Sequence, residues 1–370
     1  MIALVILAST SNLRNSTTLQ GVMHTVCGVW GERITSLITA LYCFGTCLTF
    51  LIIIGDQFDR AFDSLIGPDF CKTWFLNRNF IMPVTSVLLI LPLCFTSKID
   101  FLKYASVMGV FTILYIVIII ISQYFSGNYK PGEIKTKPDN ILDIFNVIPV
   151  ICFGYQCHVS VIPIYSCMKH RNLKHFTIAS STAITACVFV YTGAATFGYL
   201  TFGSNVSNDI LENYSASNPW VLIALISMAL KTYTTYPILL FCGREAISTI
   251  IKDLFVTEET RTKEKFRRYI IAIVWFALSV VLAAKIPDIG FVINIIGSLA
   301  AVFIFILPGI CLLQSTLMLD PGLVKLEAKL KIGLATVFLI LGSFLFGVVL
   351  TQGVERDMTS SGSKSLLCVP

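Results

Sequence analysis

The sequence predicts an all-α protein of the polytopic membrane class, a bundle of helices that cross a lipid bilayer. Of its 370 residues, 55% are hydrophobic and only 13% are charged, whereas a soluble domain carries about 25% charged residues. The apolar residues gather into runs near the roughly 20 residues that a spanning helix needs. Lipid offers the backbone no hydrogen-bond partners, and the runs are too long for barrel strands, so helices are required. With so little soluble surface, the net charge of +6 does not indicate a nucleic-acid partner.

Nine apolar runs are long enough to cross the bilayer, and short polar loops join them. The whole chain, 1–370, is therefore predicted to form a single transmembrane domain. Residues 1–9 are apolar but too few to cross, which indicates part of a membrane helix, with a secretory signal peptide as the alternative. The predicted spans are 37–54, 79–97, 104–125, 144–165, 176–200, 219–241, 269–284, 289–315 and 332–352.

The basic residues between the runs predict the orientation, because cytosolic loops are enriched in Lys and Arg. If the 9–36 loop is cytosolic and the sides then alternate, 17 Lys and Arg residues fall on the cytosolic side and nine on the other. Glycosylation sequons at Asn205 and Asn213 fall on the outer side, where they can be modified. Cys71 and Cys368 lie on that side too, and their pairing stays open.

The run 144–165 differs from the others because it holds helix breakers and polar residues within one crossing. Pro149, Gly154 and Pro163 disfavour an unbroken helix. An interrupted helix exposes main-chain N–H and C=O groups at mid-membrane, and its half-helix ends carry dipole charge that can bind carboxylate and amine groups. His158 would be a ligand or an orienting group there. The alternative is a kinked packing helix in which His158 donates to a neighbouring carbonyl.

The run 219–241 places Lys231 near the bilayer centre, where a charged side chain costs at least about 2.5–3.5 kcal/mol. Lys231 is therefore predicted to face a cavity. Thr234 and Thr235 follow at i+3 and i+4 on the same helical face. Their hydroxyl oxygens suit a hard cation such as sodium, and the ammonium could stand where such a cation would sit. Alternatively, both threonines bond carbonyls of the preceding turn and bend the helix.

Polar residues elsewhere in the runs do not indicate chemistry. Asp56, at the outer end of the 37–54 run, is expected to be a solvated helix terminus rather than part of an ion path. No paired acidic residues, zinc-binding motif or Ser/His/Asp constellation is visible at membrane depth, which argues against an enzyme and indicates no cofactor.

Six segments distributed over nearly the whole chain are long enough to be specific. They are LVILA (4–8), YCFGTCLTFLIIIGDQ (42–57), ICFGYQCHVS (151–160), FGYLTFG (197–203), YPILLFCGR (236–244) and IPDIGFVINIIGSLAAVFIFILPGICLLQ (286–314). Together they resemble the sodium-coupled neutral amino acid transporters of the system A/N type, in the amino acid/auxin permease group. Within that family, the likeness is greatest to the branch that carries glutamine and asparagine across the lysosomal membrane.

The resemblance implies an inverted five-plus-five repeat of eleven helices, in which the broken first and sixth helices surround the substrate. The run 144–165 would be the sixth helix and 219–241 the eighth. The amino acid would lie near Phe153, Gly154, Tyr155, Cys157 and His158, and a sodium ion near Thr234 and Thr235.

Two departures from the family pattern stand out. The first helix of the family is missing and the chain begins within the second, so the expectation is an amino-terminally truncated chain with part of each site absent. Lys231 stands where relatives usually carry a small polar residue, and it is expected to weaken sodium coupling.

The sequence thus predicts secondary active transport of neutral amino acids, glutamine or asparagine, by alternating access with sodium as the coupling ion. The expected location is the lysosomal or plasma membrane. The alternative function is a membrane protein that senses an amino acid without carrying it.

Overall fold

The computed structural model describes residues 1–67, 73–95, 100–138, 140–207, 209–255, 260–286 and 289–359. Within these ranges the secondary structure is helical throughout, without strands. Cys71 and Cys368 lie outside them. The α-helices are α1 (Ile2–Ser11), α2 (Leu19–Ile66), α3 (Arg78–Leu89), α4 (Leu91–Cys94), α5 (Asp100–Ser126), α6 (Ile141–Gly154), α7 (His158–Ser166), α8 (Leu173–Phe202), α9 (Pro219–Phe255), α10 (Arg261–Lys285), α11 (Ile289–Ala301), α12 (Leu307–Leu319) and α13 (Leu326–Thr359), with a π-helical stretch at Val302–Ile306.

Eight helical stretches in the described part of the chain are long and apolar enough to cross a membrane, and α1 is a shorter apolar helix. The eight stretches overlap eight of the nine predicted runs. They are Leu19–Ile66, Ser106–Ser126, Val147–Ser166, Leu173–Asn205, Pro219–Phe255, Thr262–Lys285, Val292–Leu319 and Leu326–Thr351. The predicted all-α, polytopic fold class is confirmed.

The ninth run, 79–97, is divided into α3 and α4 where the structure describes it. Pro83 lies inside α3 and Pro92 lies in the first turn of α4, and each proline removes a backbone donor. The short α4 ends at Cys94, whose carbonyl accepts a hydrogen bond of 3.2 Å from the buried Arg244 of α9. A side chain from another helix thus satisfies a carbonyl that the helix end leaves free.

The helix α2 begins within the region that was predicted as the 9–36 loop. The Thr18 hydroxyl caps it by accepting from the Gly21 N–H, and apolar residues at 19, 22, 23 and 26 are buried on one face. Gly28 has φ +70° and ψ −163°, a kink that separates this amphipathic segment from the spanning part. Only glycine adopts such dihedrals without strain.

The spanning part of α2 forms the centre of the bundle and runs antiparallel to α9. Near one end, Arg33 Nε lies 2.5 Å from Asp253 Oδ2, and further along, the Lys231 ammonium lies 6.0 Å from the Phe50 ring centroid. Cys43, Cys47 and other residues of the inner face are fully buried. The Arg33–Asp253 contact joins two segments that the charge pattern assigns to the same side of the membrane.

Asp56 is not a solvated helix terminus, because α2 continues to Ile66. Its carboxylate is buried and forms an ion pair with Arg78, the first residue of α3. The expectation from the sequence is wrong here because the apolar run ends one turn or more before the helix does, and the polar continuation packs against α3.

The helices α6 and α11 cross in direct backbone contact. A Cβ atom added at Gly297 would lie 2.4 Å from the carbonyl oxygen of Pro149 and 2.7 Å from its Cα. Because glycine has no side chain, the backbones of α6 and α11 can approach closely here, as is common where small residues lie between membrane helices. The crossing fixes the middle of α6 about one turn before that helix ends at Gly154.

Candidate functional site

The run 144–165 is interrupted in the structure, as its helix breakers predict. The helix α6 ends at Gly154 and α7 begins at His158. Between them, the Tyr155 N–H donates to Ile151 O at 3.0 Å and the Gln156 N–H donates to Phe153 O at 3.2 Å, which closes the last turn of α6. The amino-terminal end of α7 has no capping side-chain hydrogen bond, so it faces the gap at 155–157.

A tyrosine from α8 holds the end of α6. Its hydroxyl, on Tyr191, donates to the Gly154 carbonyl at 3.2 Å, and its ring meets the Tyr155 ring edge to face with centroids 5.3 Å apart. A terminal carbonyl lacks an intrahelical donor, so Tyr191 supplies one. No sequence pattern indicates this residue, because it lies in an ordinary apolar run.

The five residues that the family resemblance assigns to the substrate all lie at this break. Phe153 packs partly buried against the core, Gly154 is exposed, and Tyr155 is half-buried. Cys157 is an exposed free thiol within electrostatic range of Tyr42 on α2 and Cys187 on α8.

His158 is the most constrained polar residue of the break. It is 4% exposed, yet within the described part of the chain neither of its ring nitrogens has a hydrogen-bond partner, and the Nε2 of Gln156 also lacks one. The alternative of a packing histidine that donates to a neighbouring carbonyl is therefore not what the structure contains. A buried polar group without a partner costs about 1–3 kcal/mol, so this imidazole is available for a ligand.

Three hydroxyl residues of α2 add further unpartnered polar groups to the interior. Thr35, Ser36 and Thr39 are at most 1% exposed. Their hydroxyl oxygens have no hydrogen-bond partner among the described residues. The helix α7 packs against α2. Sequence reasoning missed this group, although small polar residues at i, i+1 and i+4 inside an apolar helix are a detectable pattern.

The three residues predicted for a cation lie together on α9, but they do not form a closed site. The Thr234 and Thr235 hydroxyls both donate to the Lys231 carbonyl at 2.8 Å, which is the intrahelical arrangement that the sequence left open. The Lys231 side chain lies against Gly109 of α5 and faces the Phe50 ring. No described acidic residue forms an ion pair with Lys231, and the described residues include no cluster of three or more His, Cys, Asp or Glu placed to hold a metal ion.

The two glycosylation sequons differ in their surroundings. Asn205 is exposed at the end of a short helical turn. The Asn213 side chain bridges that turn, since its Nδ2 donates to Asn205 O at 3.0 Å and its Oδ1 accepts from the Ser207 N–H at 2.7 Å. Asn213 thus has a structural role in the folded loop.

Comparison with known proteins places these features in one family. Residues 1–352 match the family described as transmembrane amino acid transporter protein. The chain is 39% identical over 366 residues to the sodium-coupled neutral amino acid transporter 7 of Danio rerio, which covers 97% of this chain and 78% of the relative. The human protein of that name is 36% identical over 370 residues, covering 96% and 78%. Human solute carrier family 38 member 8 is 30% identical over 354 residues, covering 93% and 81%.

These matches extend over nearly the whole chain and include the interrupted helix. The protein is an amino acid transporter rather than an enzyme, and it is an integral, multi-pass membrane protein. The chain belongs to the transmembrane amino acid transporter family.

Proposed function

We propose that this chain carries neutral amino acids, glutamine or asparagine, across a lysosomal or plasma membrane by alternating access, with sodium as the coupling ion. The observation that carries the proposal is the gap between α6 and α7, where His158 is buried with both ring nitrogens free. The names of the relatives support both the neutral substrate and the coupling to sodium.

The gap has the chemistry that a zwitterion requires. The first N–H groups of α7 are not used within the helix, and a helix amino terminus attracts a carboxylate. The last carbonyls of α6 suit the substrate ammonium. Phe153, Tyr155 and Cys157 would then surround the side chain, and His158 would hydrogen-bond to the substrate directly or orient its neighbours.

The cation would bind beside Thr234 and Thr235. A hydroxyl that donates to a carbonyl keeps its oxygen lone pairs, so both oxygens can still accept a sodium ion while they bond the Lys231 carbonyl. The ammonium of Lys231 would repel that ion. In this proposal Lys231 therefore weakens the dependence of transport on sodium, and the outer 201–218 loop carries glycans at Asn205 or Asn213.

Flux of labelled glutamine into vesicles that contain the purified chain tests the function. Uptake should depend on the protein and fall when choline replaces sodium. His158→Ala should lower uptake about tenfold or more, as expected for loss of one hydrogen bond to a charged substrate. His175→Ala is the matched control, because His175 is exposed on α8.

Binding of glutamine without flux would contradict transport and would support the alternative function, a membrane protein that senses the amino acid without carrying it. Full uptake by the His158→Ala variant would contradict the role of the break.

A further inference from the structure

A buried cluster of charged residues lies at the end of α2 opposite the Arg33 contact, and the proposed function does not use it. The cluster consists of Asp56 and Asp59 on α2 and Arg78 on α3. Arg78 Nη1 bonds Asp56 Oδ1 and lies 4.0 Å from Asp59 Oδ2. We call these three residues the Arg78 cluster.

The packing around Arg78 encloses it. The exposed fractions of the Arg78, Asp56 and Asp59 side chains are 7%, 11% and 6%. Arg78 also donates to Ile52 O at 3.3 Å. Its guanidinium lies directly over Gly55, where an added Cβ would be 2.8 Å from Nε. Arg78 thus links α3 to the acidic residues of α2.

The guanidinium does not satisfy both carboxylates. Asp56 Oδ2 and Asp59 Oδ1 are buried without a hydrogen-bond partner. The separation of 4.0 Å between Arg78 and Asp59 is beyond hydrogen-bonding distance. The Asp59 carboxyl group is therefore buried beside the Arg78–Asp56 ion pair and forms no hydrogen bond with the described residues.

Among the residues that the structure describes, no cation other than Arg78 forms an ion pair with Asp56 or Asp59. On α2, Arg60 donates to Leu211 O at 3.5 Å and Asp63 is acidic. The outer loop contributes Asp209, which accepts from Gln57 at 3.0 Å, and Glu212, both within electrostatic range of Asp56. On α9, residues 219–230 contain no charged residue, and the next residue, Lys231, has its ammonium 6.0 Å from the ring centroid of Phe50 on α2. Further along α9, Tyr233 donates to Thr85 on α3.

We propose that the Arg78 cluster is a proton-binding site, in which Asp59 takes up the proton. Two buried carboxylates beside one guanidinium leave one negative charge uncompensated, and a like charge together with burial favours the neutral carboxylic acid. The described residues include no cluster of three or more His, Cys, Asp or Glu placed to hold a metal ion, and the two carboxylates here already share one guanidinium. Binding of the proton sets how firmly α2 holds α3.

Infrared difference spectroscopy of the whole chain in lipid vesicles tests the assignment without relying on transport. Lowering the pH from about 8 to about 5.5, which stays above the range in which ordinary exposed carboxyl groups take up a proton, should produce a carboxylic acid C=O band. Asp59→Asn should remove that band. Asp63→Asn, a half-buried aspartate one turn further along α2, should leave it.

Arg78→Gln gives an independent result. Loss of the guanidinium should move the midpoint of the band upward by about 1–3 pH units. A band that persists in Asp59→Asn, or a midpoint that does not move in Arg78→Gln, would overturn the proposal. So would a band that disappears at constant pH when sodium replaces choline, because the site would then hold sodium.

Thermal unfolding provides a second measurement in case a variant is poorly folded. Replacing a buried carboxylate that has no hydrogen bond, beside a guanidinium already bonded to Asp56, is expected to be neutral or stabilising. The Asp59→Asn protein should therefore melt no lower than the wild type at neutral pH, and the two should converge as the pH falls. A lower melting temperature at neutral pH would show that Asp59 is a paired carboxylate and would overturn the proposal.

Discussion

Substitution of Gly297 by alanine should destabilise the bundle at the crossing that fixes α6. The added Cβ would lie 2.4 Å from Pro149 O and 2.7 Å from two further backbone atoms. Real Cβ atoms do not approach backbone this closely, and backbone cannot rotate away as a flexible side chain can. The helices α6 and α11 must therefore separate, and overpacking of this kind costs about 1–3 kcal/mol.

The same chain provides matched controls for Gly297→Ala. Gly333 and Gly347 both lie within α13, and an added Cβ at either position meets no atom within 4 Å. Alanine is favoured over glycine in a helix by up to about 1 kcal/mol. Gly333→Ala and Gly347→Ala should thus be neutral or slightly stabilising.

Thermal unfolding in detergent, followed by tryptophan fluorescence and by size-exclusion chromatography, distinguishes Gly297→Ala from the two control variants. Of the three variants, only Gly297→Ala is expected to unfold at a lower temperature than the wild type. Equal midpoints for Gly297→Ala and Gly347→Ala would refute the close contact between α6 and α11.

Three further predictions concern the candidate site and the outer loop. Tyr191→Phe removes the donor to the Gly154 carbonyl, a hydrogen bond that contributes about 0.5–1.5 kcal/mol, and glutamine uptake should fall about 2- to 12-fold with the chain still folded; unchanged uptake would contradict the contact. Asn205→Gln should abolish one glycan, which is seen as a mobility shift on gels. Asn213→Gln should instead lower the unfolding temperature, because it removes two loop hydrogen bonds. The reverse pattern would contradict these two roles. Lys231→Ala should steepen the dependence of glutamine uptake on sodium, measured across a sodium series, and a flatter dependence would contradict repulsion by the ammonium.

The sequence predicts the interrupted helix well because the causes are local. Pro149, Gly154 and Pro163 lie within one run, and helix breakers act on their own neighbours. The interruption nevertheless falls at 155–157 rather than at a proline. Both prolines are accommodated inside α6 and α7.

Features that depend on distant partners could not be predicted in this way. Arg78 lies 22 positions from Asp56, and Tyr191 lies 37 positions from Gly154. In each pair the two residues lie on different helices, so no local pattern indicates the contact. The segment 19–27 is different, because the signals for its helix are local. Thr18 is a suitable capping residue and apolar residues recur on one helical face. The prediction of a loop over 9–36 did not use these signals.

The length of α2 has a mechanical consequence. From 29 to 66 the helix is roughly 57 Å long at 1.5 Å per residue, nearly twice the thickness of the hydrocarbon layer. A stiff rod of this length that tilts by about 5° around its centre displaces each end by about 2.5 Å. The Arg33–Asp253 ion pair lies near one end of this rod, and the Arg78 cluster lies about 10–15 Å before the other end. The same tilt would move both sites by about 1–2 Å, so we expect one helix to couple the two ion-pair sites near its opposite ends.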